Sequence, residues 1–312
     1  MAERIPSVMK QGTRAPWLYL LPALVIMTVY VVYPTLRTFL LSFQNRDSTN
    51  LATASCTAGQ PCWGILENYR YAFTSQEMLS AYGNNILWLF IAVTGTVVFG
   101  LLLAVLADRV PYERWAKAII FLPMAISFVG AGVIWDFVYA YPRNPNDPNS
   151  PIIGLLNGIV VTLGGQPVPW LSTPGLNVLM LNIVGIWLWT GFTMTVLSAA
   201  LKGVPEEVIE AARIDGANEI QVFFRIMIPL IMPTIALVIT TMTINVLKVF
   251  DIVYVMTGGN YGTDVIANRM YTEMYVRFDA GRSSAIAVVL IALIIPIMFF
   301  NIQRMRRQEA IR

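Results

Sequence analysis

The sequence contains no histidine. That one absence removes imidazole acid–base catalysis, histidine metal ligation and Ser-His nucleophilic arrangements together, and no metal site is expected. Charge is scarce as well. Asp, Glu, Lys and Arg make up 12% of the 312 residues, against about 25% in an average soluble domain, a deficit too large for a surface facing water on all sides. The net charge is only +3, and the bases do not cluster with aromatics on a polar face, so no nucleic-acid partner is expected. Cysteine is confined to Cys56 and Cys62, in one polar loop. They suit a disulfide if that loop faces an oxidising compartment and remain two thiols otherwise. A phosphate-binding loop is missing too. None of Lys10, Lys117, Lys202 and Lys248 precedes Ser or Thr, as a Gly-x-x-x-x-Gly-Lys-Ser/Thr motif requires. The N-terminus shows no cleavable-signal pattern, and its first apolar block is too long for a signal core.

What is present is hydrophobicity, 56% of residues, gathered in blocks. They run roughly Trp17–Leu41, Asn85–Ala107, Ala118–Tyr141, Leu176–Ala199, Ile226–Phe250 and Ser284–Ile302. Each is long enough to cross a bilayer, and backbone groups in lipid must bond internally, which predicts six helices. Pro22, Pro34, Pro123, Pro229, Pro233 and Pro296 fall within or at the ends of blocks, as membrane helices tolerate. The prediction is an all-α membrane protein: a tail over 1–16, a six-helix domain over 17–302 with an outer loop at 44–84, and a tail over 303–312. Lys and Arg are denser on the side that holds both termini, among them Arg4, Lys10, Arg14, Arg109, Arg114, Lys117, Lys202, Arg213, Arg225, Arg304, Arg306, Arg307 and Arg312. That side is predicted to be cytoplasmic. Arg269, Arg277 and Arg282, after the fifth block, weaken the bias. Residues 142–151 are a run of turn formers, read either as a contact for an external partner or as a solvated connector.

The inner loop over 200–226 is the most informative segment. Pro205 suits a first helical position, and Glu206 and Glu207 suit the positive end of the helix dipole. Val208, Ile209, Ala211 and Ala212 form a small apolar face, Asp215-Gly216 signals a turn, and Phe223, Phe224 and Ile226 can pack a second helix against the membrane domain. A short helix with a narrow alanine-rich face can enter a groove on a partner, with Glu210 and Arg213 anchoring it by charge. The plain alternative is an amphipathic surface helix between two spans.

Glu210-Ala211-Ala212, Asp215-Gly216-Ala217, Phe223 and Ile228-Pro229-Leu230 resemble the EAA loop of binding-protein-dependent ABC importer permeases. The likeness extends over nearly the whole chain. Leu122-Pro123, Thr257-Gly258-Gly259 and Gly281 to Ala287 look like the carbohydrate branch, similar to maltose- and glycerol-phosphate-type permeases. Asn260-Tyr261-Gly262-Thr263 and the Leu122 to Val138 stretch look most like alpha-glucoside permeases. The resemblance implies a type I ABC importer permease (MetI-like) fold in the cell inner membrane. It implies a coupling helix built on Glu210, Ala211, Ala212, Asp215 and Gly216, seated in a cytoplasmic ATPase subunit. It also implies a second homologous permease, an ATPase dimer that binds ATP and Mg, and an external sugar-binding protein, with no cofactor on this chain.

Polar groups inside spans are costly and usually face a cavity. Thr241, Asn245 and Lys248, spaced four and three apart, share a helical face, and Asp251 is placed to neutralise Lys248. Sugar hydroxyls suit such groups. A helix–helix polar contact with a snorkelling lysine is the alternative. Trp189 and Phe192 offer faces for sugar rings, and matching to the maltose-type pattern adds Gly185 and Leu188. Ser127 is a weaker candidate, since a lone serine often bonds its own helix. An ion-gradient-driven transporter is the rival reading, although no buried acidic relay is evident among Asp108, Asp136 and Asp251. A membrane enzyme is disfavoured by the missing histidine.

Overall fold

The computed structural model describes residues 15–44, 66–142 and 154–309. Cys56, Cys62 and most of the 142–151 turn run lie outside the described residues. Among those described, the regular structure is helical: α1 (Tyr19–Leu41), α2 (Glu67–Thr74), α3 (Gln76–Ala107), α4 (Glu113–Ala125), α5 (Phe128–Tyr139), α6 (Leu155–Thr162), α7 (Leu176–Lys202), α8 (Glu206–Ile214), α9 (Glu219–Leu247), α10 (Asp251–Met256), α11 (Ile266–Tyr271) and α12 (Ala280–Glu309).

Five of these helices are long and apolar enough to cross a membrane by themselves. The third apolar block differs from the single helix predicted for it. It is a pair, α4 and α5, bent by 99°. Pro123 sits in a tight turn over Leu122–Ala125, Ile126 is extended, and Ser127 caps a new helix by accepting from the Gly130 N–H at 3.0 Å. A proline that cannot continue a helix, followed at once by a side chain that starts another, makes a corner instead of a kink. Boundaries shift elsewhere. α3 begins at Gln76 because Ser75 caps it, so the end of the expected outer loop is already helix. α9 stops at Leu247, where Lys248 and Phe250 leave helical geometry before α10 restarts the chain.

Close backbone approach brings several of the helices together. A Cβ on Gly95 would stand 2.5 Å from Ile186, one on Gly100 2.4 Å from Thr193, and one on Gly191 2.6 Å from the Ile120 carbonyl. These glycines bring α3 and α4 against α7, the small-residue packing that membrane helices use in place of a hydrophobic driving force. Trp88, Leu181, Val184, Leu188, Met194, Met242, Val246 and Ile252 fill the core. A smaller cluster of Ala72, Met78, Ala81, Ile266, Ile286 and Val289 ties α2, α3 and α11 to α12. Helix α1 buries none of its residues in this chain.

Candidate translocation cavity and coupling loop

The corner between α4 and α5 opens onto a cavity of about 460 Å³ against α7 and α9, lined by Ile126, Ser127, Phe128, Leu188, Trp189, Phe192, Thr241, Met242 and Asn245. A second hollow of about 230 Å³ shares Phe128, Trp189 and Asn245 and adds Lys248, Phe250 and Asp251. Two helix interruptions therefore meet at one place. Non-helical backbone at membrane depth is tolerated only inside protein or beside a wet cavity, so the interruptions and the hollow explain each other.

Apart from Gly185, every residue expected on the substrate path lies in these walls. Gly185 sits behind them: a Cβ there would stand 2.8 Å from the buried Trp88 ring and 3.3 Å from Trp189. It sets the position of Trp189 instead of facing the cavity. The Ser127 oxygen is engaged by its cap, and the Thr241 hydroxyl donates to the Leu237 carbonyl at 2.9 Å. Both keep part of their hydrogen-bonding capacity. The Asn245 amide and the Lys248 ammonium have no hydrogen-bond or ion-pair partner among the described residues, and the expected neutralisation by Asp251 is not made, although Asp251 lines the same hollow. The wall thus offers free donors beside aromatic faces, with Phe128 edge-on to Trp189 at 6.1 Å. Phe128 and Phe250 were not anticipated. Only their place beside the two interruptions brings them into the wall.

The inner loop folds as the helix, turn and helix predicted. Pro205 is the capping residue of α8, one position earlier than expected. Ala212 is buried, whereas Glu210 and Ala211 face outward. Gly216 takes φ +86°, and the Ala217 N–H closes back on the Ala212 carbonyl at 3.0 Å, a left-handed ending that glycine alone adopts freely. Asn218 and Gln221 then form a reciprocal capping box. Arg213 does not stand free as an anchor: it grips Glu219 through two bonds of 2.8 and 3.1 Å, which raises its own pKa. Phe223 packs on the bundle as predicted. Phe224 does not; it is exposed together with Ile214 and Ile220, a set of apolar side chains that periodicity did not single out.

Two ionic clusters close the ends of the bundle. Near the coupling loop, the Lys117 ammonium meets Asp108 at 2.5 Å and Glu113 at 2.6 Å and donates to Ser198 at 2.5 Å, while Lys202 meets Glu113 at 2.5 Å. At the opposite end, Arg269 approaches Glu77 at 3.2 Å and Asp264 at 3.7 Å. The buried Glu273 accepts from Arg277 at 2.9 Å and from the Tyr71 hydroxyl at 2.7 Å. Arg282 pairs with Asp279 and lies over the Tyr71 ring. The three arginines that weakened the loop-charge bias are thus all tied into this cluster. Burial, reinforced by the Glu273 hydrogen bond, pushes the Tyr71 phenol up to about 12. Burial also raises the Asp264 carboxyl.

Residues 96–306 match the family model described as binding-protein-dependent transport system inner membrane component. The chain is 52% identical over 295 residues to the osmoprotective compounds uptake permease protein GgtC of Synechocystis sp., covering 95% of this chain and 100% of that one. It is 47% identical to the alpha-glucoside transport system permease protein AglF of Rhizobium meliloti, covering 94% and 83%. In fold it is similar to a chain from a bacterial ABC transporter involved in the import of the acidic polysaccharide alginate, with a TM-score of 0.74 at 21% identity, covering 94% and 95%.

Proposed function

The chain belongs to the family of binding-protein-dependent transport inner membrane components, and on that premise we propose that it imports an alpha-glucoside or a related glycosyl solute. It is a multi-pass membrane permease subunit of an ABC importer. It does not hydrolyse ATP, which is the task of a separate subunit. Membership sets aside the ion-gradient-driven alternative.

In our reading the bent α4–α5 pair acts as one span, giving six, with both termini and the coupling loop cytoplasmic. A second homologous permease completes the path, a pair of ATPase subunits binds ATP and Mg, and an external binding protein delivers the solute. The name of the Rhizobium meliloti relative supports a glycoside. The observation that carries the reading in this chain is the cavity wall at the two helix interruptions. Trp189 and Phe128 supply flat apolar faces for a sugar ring, and Asn245 and Lys248 supply unpartnered donors for its hydroxyls. Glu210, exposed on α8 with Ala211 beside it, is left to pair with a base on the ATPase.

The test is purification with the neighbouring subunits and measurement of ATP hydrolysis stimulated by the glycoside-loaded binding protein. Glu210→Lys is expected to abolish that stimulation while the protein stays in the membrane at normal abundance. Normal uptake by this variant would remove Glu210 from its role.

A further inference from the structure

We propose that the turn from α3 to α4, with the first turn of α4, binds the headgroup of an anionic phospholipid in the inner leaflet. The leaflet rests on the orientation proposed above; the site itself rests on four observations.

The first is a stripe. Trp115, Ile119 and Leu122 are spaced four and three apart, so they share a helical face, with Tyr112 at the capping position just before α4, and all four are exposed, Trp115 at 71%. The aromatics occupy the end nearest the loop and the aliphatics the stretch beyond. That order matches passage from headgroup level into hydrocarbon, because the amphipathic rings of Trp and Tyr settle at the interface. The second is unspent charge. Arg109 and Arg114 are exposed and make no ion pair among the described residues.

The third observation is that the nearby acids are already used. Asp108 and Glu113 are held by Lys117 and Lys202. Glu219, whose carboxyl feels Arg109 from a distance, is gripped by Arg213. Among the described residues, no ion pair or hydrogen bond engages either guanidinium group. The fourth is shape: a surface hollow of about 700 Å³, lined by Pro111, Tyr112, Glu113, Arg114, Trp115 and Lys117, lies at the foot of the stripe. A guanidinium fork matches the oxygens of a phosphodiester, and the acyl chains then run along Ile119 and Leu122. A zwitterionic headgroup carries its own cation and would leave the excess positive charge uncompensated, which selects an anionic lipid.

The experiment uses the full chain assembled with its partners, in vesicles of phosphatidylglycerol and phosphatidylcholine with brominated acyl chains on one lipid at a time. The signal is the part of the tryptophan quenching that disappears in Trp115→Phe. Brominated phosphatidylglycerol is expected to quench it more than brominated phosphatidylcholine does. The preference should fall about fivefold for each of Arg109→Gln and Arg114→Gln, and roughly 25-fold for the pair, and it should weaken with salt. Arg109→Lys with Arg114→Lys keeps the charge but not the fork, so its preference should fall between those of the parent and the double Gln variant, which separates charge from folding. Equal quenching by the two lipids overturns the proposal, as does a preference that survives the double Gln variant. A Trp115 signal absent from the full assembly but restored when the ATPase subunits are stripped off would also overturn it, by making the patch a protein contact. Binding-protein-stimulated ATP hydrolysis is recorded in parallel. If it persists while lipid preference is absent, the lipid site falls and the importer reading stands; a lipid preference without stimulation upholds the site and counts against the importer reading.

Discussion

Gly185→Ala tests how the cavity wall is supported. The added methyl would stand 2.8 Å from Trp88 Cζ3, 3.4 Å from Cη2 of the same ring and 3.3 Å from Trp189 Cζ3. Carbon atoms in good contact are about 3.5–4.0 Å apart, so roughly 1 Å must be found on the Trp88 side and about half of that on the Trp189 side. Trp88 is fully enclosed and cannot yield. Trp189 borders the cavity and can move only into it. Overpacking of this kind costs about 1–3 kcal/mol, and the displaced indole narrows the space left for solute. The variant is therefore expected to lower both the thermal stability of the purified complex and its binding-protein-stimulated ATP hydrolysis. Trp88→Leu removes the obstructing ring edge. Alone it should destabilise by up to about 3 kcal/mol through the void it leaves. Combined with Gly185→Ala, it should recover about 1–2 kcal/mol relative to the sum of the single changes, well beyond the about 0.5 kcal/mol scatter of independent sites. An additive double variant would refute the steric account. A Gly185→Ala protein of normal stability but altered glycoside dependence would place Gly185 in direct contact with solute.

Three further outcomes are expected. Asn245→Ala should raise the glycoside concentration for half-maximal transport by about three- to tenfold, the worth of one hydrogen bond, with unchanged membrane abundance; an unaltered uptake curve would take Asn245 off the path. Tyr71→Phe deprives the buried Glu273 of a donor and should cost about 1–3 kcal/mol in thermal or denaturant unfolding. Because the Tyr71 pKa is raised from 10.0 to about 12, the contribution of that bond is complete below pH 10 and is lost as pH climbs through 12, so the gap between variant and parent should close over that window. Gly216→Ala meets no neighbouring atom but keeps a backbone at φ +86°, a strain of about 1–2 kcal/mol; it should loosen the coupling loop, seen as faster proteolysis after Arg213 and weaker stimulation of ATP hydrolysis.

The parts legible in the sequence are those governed by local chemistry. Hydropathy marked the apolar blocks because bilayer thickness demands their length. Asp215-Gly216 marked the turn of the coupling loop because only glycine takes that backbone angle freely. Thr241, Asn245 and Lys248 were placed on one wall by helical spacing, and they line the hollows found there. The corner at Ile126 was not legible. Pro123 read as one more tolerated kink, and Ser127 as a serine bonding its own helix; it does so, but by starting a new helix instead of continuing the old one. Nor was the ionic cluster legible, because Glu77 and Tyr71 meet Arg269 and Glu273 in space from about 200 positions earlier in the chain. Gly185 was misplaced for the same reason: whether a glycine lines a cavity or seats a ring behind it is decided by a residue nearly a hundred positions away, Trp88.

Helix α9 joins two events that occur far apart. Its first residue, Glu219, is clamped to Arg213 in the loop proposed to meet the ATPase, and near its far end Asn245 borders the cavity. At about 1.5 Å per residue the interval is roughly 40 Å. Arg213 ties the near end of the helix to the loop, so a displacement delivered there passes through that joint before it meets the wider turn over Phe223–Met227 and Pro233. Under the proposed function it travels along one continuous helical run to the Asn245 amide at the cavity wall.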